Sequence, residues 1–212
     1  MPEHTLPAKA LAYAMGADYL EQDIVATKDD ELIVIHDAIL NFTTDVAEKF
    51  PDRVREDGLY YARDLVMDEI RQLDVHERTD RDGKPVYPDR YPIDGDTFEI
   101  HTLGEELTFI AHLQESVGRP VGIYPEIKHP ALHRQSGVDI SVKVLETLQA
   151  HGFDSREDSA YLQCFDDQEL IRIRNELGCE LKLVQLIGDN SWGESRTDYD
   201  ELRSKAGLER VA

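Results

Sequence analysis

Residues 16–37 read GADYLEQDIVATKDDELIVIHD and contain two apolar runs separated by the turn-like triplet KDD at 28–30. This pattern predicts a strand on each side of the turn. The connection is too short for a helical crossover, so we expect an antiparallel hairpin inside a larger sheet. The first run also carries two carboxylates, Glu21 and Asp23, and an imidazole, His36, stands at the end of the second. Charged groups in an otherwise apolar strand need a chemical reason.

The register of this hairpin decides whether the three polar side chains lie together. If residues 28 and 29 form a two-residue turn, Glu21 lies opposite His36. Glu21, Asp23 and His36 then share one face of the sheet. A longer loop would shift the register by one residue and would remove His36 from that face.

The rest of the chain alternates between strands and helices. We expect helices at 8–15, from near Thr102, at 139–152 and at 167–178, and strands at 121–128, 160–166 and 181–188. Strand followed by helix with short links is typical of a parallel α/β fold. Residues 42–100 are rich in Asp, Arg, Tyr, Pro and Gly and are too long for an ordinary loop. We interpret them as an insertion in a single domain of residues 1–212.

Charge and composition limit the possible partners. The formal net charge of the 212 residues is -21, and such a field repels nucleic acid phosphates, so we expect no nucleic acid partner. The acidity is also explained by solubility or by adaptation to a salty environment. Cys164 and Cys179 match no zinc spacing and are expected to be small buried apolar residues. We find no apolar run of membrane-spanning length and no signal peptide, which for the chain as written predicts a cytoplasmic protein.

Several polar residues stand near the ends of the predicted strands. They are Glu21, Asp23, His36, Glu126, Lys128 and Gln163. In a (β/α) barrel the carboxyl ends of the strands carry the active site, so these positions are candidates for catalysis. Pro125 supports this interpretation, because proline fits poorly in a central strand unless the strand is ending there.

The residue types suggest a chemistry, although each has a plainer explanation. An isolated Glu-x-Asp is more often a solvated face than a ligand set, but three carboxylates without a Cys or a His pair favour Ca²⁺ or Mg²⁺ over zinc. His36 could be an ordinary core histidine, or a general acid/base beside the acidic set. Lys128 could pair with Glu126 or bind a phosphate oxygen. The other histidines are expected mostly at the surface: His4, His76, His101, His112, His129, His133 and His151.

The segments PEHTLPAKALAYAMGADYLEQDIVATKDDELIVIHD, YPEIK and YLQCFD together resemble the glycerophosphodiester phosphodiesterases. The long insertion after His36 resembles the bacterial periplasmic branch. The resemblance implies a distorted TIM barrel of the PLC-like phosphodiesterase type. It also implies that Glu21, Asp23 and Glu126 bind a divalent cation, with Ca²⁺ favoured over Mg²⁺. His36 would be one of two catalytic histidines, Lys128 would contact the substrate phosphate, and Glu3 and Gln163 would support the site.

The implied reaction is metal-dependent hydrolysis of a small glycerophosphodiester to sn-glycerol 3-phosphate and an alcohol. The family's barrel begins with a strand ending in His-Arg-Gly, which supplies the other catalytic histidine upstream of P-E-[NH]-T. We find no counterpart of that strand here and no strand candidates after Ile187, so we expect an incomplete barrel, truncated at both ends from a periplasmic parent. Two alternatives remain open, namely an inactive fragment that only binds a divalent cation and a phospholipase-D-like sibling activity.

Overall fold

The computed structural model describes residues 1–193 and 195–211, whose strands form one open sheet with helices packed against it. The strands are β1 (Tyr19–Ala26), β2 (Leu32–Val34), β3 (Gly122–Ile127), β4 (Tyr161–Cys164) and β5 (Lys182–Gln185). The α-helices are α1 (Leu6–Ala14), α2 (Val46–Lys49), α3 (Met67–Ile70), α4 (Leu103–Val117), α5 (Pro130–Gln135), α6 (Ile140–Ala150), α7 (Asp167–Asn175), α8 (Tyr199–Leu202) and α9 (Lys205–Val211). Short 3₁₀ turns occur at Pro51–Arg53, Ala62–Asp64 and Asn190–Trp192.

The sheet has the order β2-β1-β3-β4-β5. The last four of these strands are mutually parallel, and β2 runs antiparallel to β1. Helices connect β3 to β4 and β4 to β5, as the alternation in the sequence predicts. In this register Asp23 lies beside Glu126, and Glu126 lies beside Gln163. The polar positions of three neighbouring strands therefore meet at one level of the sheet.

The predicted hairpin forms, but its predicted register is wrong. Ile24 pairs with Val34 and Ala26 with Leu32, so the ladder is shifted by one residue. The turn is a three-residue loop, in which Asp30 takes the left-handed conformation with a φ of 65°. This loop is a common hairpin connection, and it excludes the two-residue turn that would set Glu21 opposite His36. β2 also ends earlier than predicted, at Val34, and His36 follows in a bend.

Two buried apolar clusters lie on opposite faces of β1. Leu20, Ile24 and Ala26 belong to the larger cluster, together with residues of α4, α6 and α7. Val25 belongs to the second cluster, which it shares with Ile33 and with apolar residues of the 42–100 segment. Because side chains alternate along a strand, β1 can anchor the helices on one face and the 42–100 segment on the other.

Several buried groups test the expectations about individual residue types. Both cysteines are free and buried, as predicted. His133 and His101 are also buried, so the prediction that they lie at the surface is wrong. In the interior His101 is hydrogen-bonded to Glu106, with 2.5 Å between Nε2 and Oε2. Within the described residues, no helix combines the length and the apolar character needed to span a bilayer.

Candidate active site

Three carboxylates converge on one face of the sheet, two from the middle of β1 and one from near the carboxyl end of β3. One oxygen from each of Glu21, Asp23 and Glu126 lies within 4.8 Å of the others. The side chains of Asp23 and Glu126 are buried, whereas Glu21 is exposed. Alternation on β1 brings Glu21 and Asp23 to one face, and the parallel pairing adds Glu126 on the same face.

Among the described residues, the hydrogen bonds around these carboxylates leave one buried oxygen without a partner. Gln163 Nε2 donates to Glu21 Oε1 at 2.8 Å, and Lys128 Nζ lies 3.1 Å from Glu126 Oε1. His4 Nε2 lies 2.9 Å from Asp23 Oδ2. The other oxygen of Asp23, Oδ1, is buried and has no hydrogen-bond partner among the described residues. A buried carboxylate oxygen of this kind is costly, and a bound cation would satisfy it.

The electrostatics of the cluster point the same way. Burial raises the pKa of Asp23, but the hydrogen bond and the charge of His4 outweigh burial and lower that pKa to about 2. Burial and the neighbouring Asp23 raise the pKa of Glu126 to about 8 despite the attraction of Lys128. Without a cation, burial and the charge of Asp23 therefore disfavour the ionised form of Glu126. The oxygen-only donor set fits a hard divalent cation, whose charge would keep all the carboxylates ionised.

His36 reaches this site by a different route from the one predicted. The strand ends before His36, and the bend returns its ring to a centroid distance of 6.2 Å from the ring of His4. His36 Nδ1 lies 2.8 Å from Asp37 Oδ1. This hydrogen bond raises the pKa of His36, against the opposing effect of burial.

Glu3 lies at the edge of the site and contacts the 42–100 segment. Its Oε1 accepts from Arg78 Nε at 2.9 Å, and its Oε2 accepts from Arg90 Nη2 at 3.0 Å. Arg78 Nη1 also donates to Asp37 Oδ2 at 2.8 Å. The structure thus brings together all the candidate residues from the sequence and adds His4, Asp37 and Arg78. His4 was detectable in the P-E-H-T motif, and Asp37 in the His-Asp pair, whereas Arg78 stands in no recognisable motif.

A layer of tyrosines lies below the carboxylates on the same face of the sheet. Tyr19, Tyr124 and Tyr161 each precede a site residue by two positions, which alternation places on one face. Their ring centroids are 5.3 to 6.5 Å apart. Edge-to-face contacts between such rings stabilise the part of the sheet that carries the site residues.

Known proteins resemble this chain in sequence and in fold. A sequence model of the glycerophosphoryl diester phosphodiesterase family matches residues 1–212. A glycerophosphodiester phosphodiesterase of Haemophilus influenzae is 50% identical over 203 residues, which cover 92% of this chain and 56% of that protein. The chain thus spans little more than half the length of this relative.

Solved structures share the fold. A crystal structure of a candidate glycerophosphoryl diester phosphodiesterase from Silicibacter pomeroyi DSS-3 superposes with a TM-score of 0.73 at 25% identity, covering 99% of this chain and 68% of that one. A phosphodiesterase of Oleispira antarctica, solved with its product sn-glycerol-3-phosphate, superposes with a TM-score of 0.57 at 18% identity, covering 94% and 67% of the two chains. The predicted α/β fold of the TIM-barrel type is confirmed.

Proposed function

Since the chain belongs to the glycerophosphoryl diester phosphodiesterase family, we propose that it carries the site for metal-dependent hydrolysis of glycerophosphodiesters to sn-glycerol 3-phosphate and an alcohol. The observation that carries this proposal is the cluster of three carboxylates, in which a buried Asp23 oxygen finds no hydrogen-bond partner in the described part of the chain. The curated relative from Haemophilus influenzae bears the name of this activity, and the Oleispira antarctica protein holds the product sn-glycerol-3-phosphate.

The ligands would be Glu21, Asp23 and Glu126, and we favour Ca²⁺ over Mg²⁺. Calcium tolerates irregular carboxylate geometry, whereas magnesium demands near-ideal octahedral coordination. Gln163 and Lys128 hold one oxygen each of Glu21 and Glu126, which fixes the carboxylate planes. When bound, the cation would neutralise charge on the phosphoryl oxygens.

The protein's own residues then divide the remaining work. Lys128 Nζ, buried beside the carboxylates, would bind a phosphate oxygen of the substrate. His36 is anchored through Nδ1 on Asp37, so Nε2 is the atom that exchanges a proton with the substrate. In the hydrolysis, a water oxygen bonds to phosphorus and loses a proton to one imidazole. The bond from phosphorus to the alcohol oxygen breaks, and that oxygen takes up a proton from the other imidazole. His4 lies close enough to His36 to serve as its partner in these transfers.

We extend the proposal to domain organisation and location. The apolar cluster shared by β1, β2 and the 42–100 segment supports the interpretation of that segment as an insertion in one domain of residues 1–212. The resemblance of the long insertion to the periplasmic branch supports a periplasmic location.

The test measures release of sn-glycerol 3-phosphate from glycerophosphocholine in the presence of Ca²⁺, Mg²⁺ or EDTA. We expect release that EDTA abolishes and that Ca²⁺ restores better than Mg²⁺. Cation binding without any turnover would leave only a divalent-cation-binding protein and would overturn the proposed activity. Turnover of sphingomyelin in place of glycerophosphocholine would indicate the phospholipase-D-like activity.

Calorimetry measures Ca²⁺ binding directly and so tests the proposed ligands without relying on turnover. Asp23→Asn removes a charge and an oxygen ligand at the centre of the cluster, so we expect Ca²⁺ affinity to fall by about tenfold or more. Asp18→Asn is the matched control, because Asp18 is exposed and precedes β1. Equal Ca²⁺ affinity in Asp23→Asn and Asp18→Asn would show that the proposed ligand set is wrong.

A further inference from the structure

We propose that Arg78, which the inserted segment supplies, is a positioning residue that fixes the His36 imidazole through the carboxylate of Asp37. This inference rests on the proposed function, because it assigns His36 the proton transfers. It adds a role for the 42–100 segment, which would complete the active site in addition to covering one face of the sheet.

The contacts form a continuous chain from the insertion to His36. Arg78 Nη1 donates to Asp37 Oδ2 at 2.8 Å, and Asp37 Oδ1 lies 2.8 Å from His36 Nδ1. The two oxygens of one carboxylate are therefore held from opposite sides. A histidine whose Nδ1 is held in this way has a fixed ring orientation and a fixed tautomer. Nδ1 is therefore engaged with Asp37, and Nε2 is the nitrogen that exchanges a proton with the substrate.

Arg78 is itself anchored on its other side. Its Nε and Nη2 lie 2.9 and 2.5 Å from Glu3 Oε1. Arg90 bridges Glu3 and the fully buried Glu77, with 2.9 Å between its Nε and Glu77 Oε1. Glu77 Oε1 also accepts from the backbone N–H of Arg78 at 3.0 Å. Both the main chain and the guanidinium of Arg78 are thus held in place.

The shape of the guanidinium explains why arginine suits this position. Arg78 uses one nitrogen for Asp37 and two for Glu3, and its side chain is 17% exposed. The planar guanidinium holds both carboxylates in one fixed orientation, whereas the rotatable ammonium of a lysine can contact two carboxylates without fixing their orientation. Because all three nitrogens contact protein carboxylates, we assign Arg78 a role in positioning His36 and no direct role on the substrate.

The first test reads the state of the His36 ring and needs no turnover. Long-range ¹⁵N–¹H spectra of the full chain report which ring nitrogen of each histidine carries the proton. In the wild type we expect neutral His36 to hold its proton on Nδ1, facing Asp37. In Arg78→Gln we expect a shift toward the usual Nε2-protonated form. Arg55→Gln is the matched control, because Arg55 also forms a two-contact ion pair within the insertion, but with Asp64.

Arg78→Lys serves if Arg78→Gln does not fold. It retains the positive charge but not the fork, so the same shift of the His36 tautomer is expected. A His36 tautomer that is unchanged from the wild type in the folded variant would overturn the proposal. This outcome is independent of whether the chain hydrolyses glycerophosphodiesters, so it is distinguishable from failure of the proposed function.

The second test is kinetic. With glycerophosphocholine as substrate, we expect Arg78→Gln to lower kcat roughly tenfold with little change in KM, because misplacing a proton-transfer group affects the chemical step. In a His36→Asn background the same substitution should have no further effect. A raised KM with unchanged kcat, or an equal loss in the His36→Asn background, would mean that Arg78 acts on the substrate or on the scaffold.

Discussion

His133 is fully buried on α5 and is hydrogen-bonded to the last residue of β1. Its Nε2 accepts from the backbone N–H of Ala26 at 3.0 Å, and its Nδ1 lies 3.1 Å from the carbonyl oxygen of His129. The ring can make both hydrogen bonds only when it is neutral, with the proton on Nδ1. Burial accordingly lowers the pKa of His133 from 6.5 to about 4.

This shift predicts an acid-sensitive contribution to stability. The unfolded chain takes up a proton at His133 near pH 6.5, whereas the folded protein resists protonation down to about pH 4. Stability is therefore lost as the pH falls through this window, by about 3 kcal/mol in total. His133→Gln keeps an acceptor for Ala26 but does not titrate, so its free energy of unfolding should fall less between pH 7 and pH 4.

Urea unfolding at several pH values measures this difference. His112→Gln is the matched control, because His112 is exposed on α4. We expect His112→Gln to follow the wild-type pH profile. Parallel profiles for the wild type and His133→Gln would show that His133 already titrates normally in the folded state.

The contrast between His133 and the carboxylates shows which kinds of residue can be identified as buried or functional from the sequence. Glu21, Asp23 and Glu126 are detectable because charged residues in apolar strands are unusual. His133 and His101 are not detectable, because a histidine in a helix or a loop is usually exposed and its burial depends on distant partners. Arg78 is hidden for the same reason, since its partners Glu3 and Asp37 lie 75 and 41 residues away.

At the level of elements, α4 is the helix with the clearest local start signal. Thr102 Oγ1 accepts from the backbone N–H of Glu105 at 3.2 Å, and Glu105 Oε2 accepts from the backbone N–H of Thr102 at 2.8 Å. This capping box satisfies two amide groups that the helix leaves unpaired. Thr102→Ala should therefore lower the free energy of unfolding by about 1 kcal/mol.

Chemical denaturation of paired variants checks the role of this cap. Thr108→Ala is the control, because Thr108 is exposed inside the same helix and alanine is the better helix former. We expect that control to be neutral or slightly more stable than the wild type. An equal loss in both variants would mean that threonine stabilises α4 through something other than the cap.

Helices and strands that begin or end with a local sequence signal can be predicted from the sequence. The hairpin register depends on how two strands meet, and it cannot be predicted in this way. The start of α4 near Thr102 follows from its capping residues, and the strands around Glu126 and Gln163 follow from their apolar runs. The hairpin register does not, because Asp30 in the left-handed conformation adds one loop residue that no local pattern requires. α8 and α9, in the polar last part of the chain, also carry too few apolar residues to be identified from the sequence.

At the scale of the whole molecule, the dominant feature is the net charge of -21. Mutual repulsion of so many carboxylates destabilises the compact state. Ion pairs such as Arg78 with Asp37 oppose this repulsion, but they are partly buried and are screened less by salt than exposed charges are. We therefore expect the free energy of unfolding at pH 7 to rise when NaCl is increased from low to physiological ionic strength, with EDTA present to remove divalent cations.

The pH dependence of this salt effect identifies its cause. Near pH 4.6, the isoelectric point of the sequence, the net charge is close to zero and repulsion no longer dominates. The same addition of NaCl should then have little effect on urea unfolding or should lower stability slightly, because only attractive pairs remain to be screened. A loss of stability with NaCl at pH 7 would mean that the ion pairs linking the inserted segment to the site outweigh the repulsion of the surface. In that case the insertion would be held to the sheet mainly by charge, and its apolar cluster with Val25 and Ile33 would contribute less than its burial suggests.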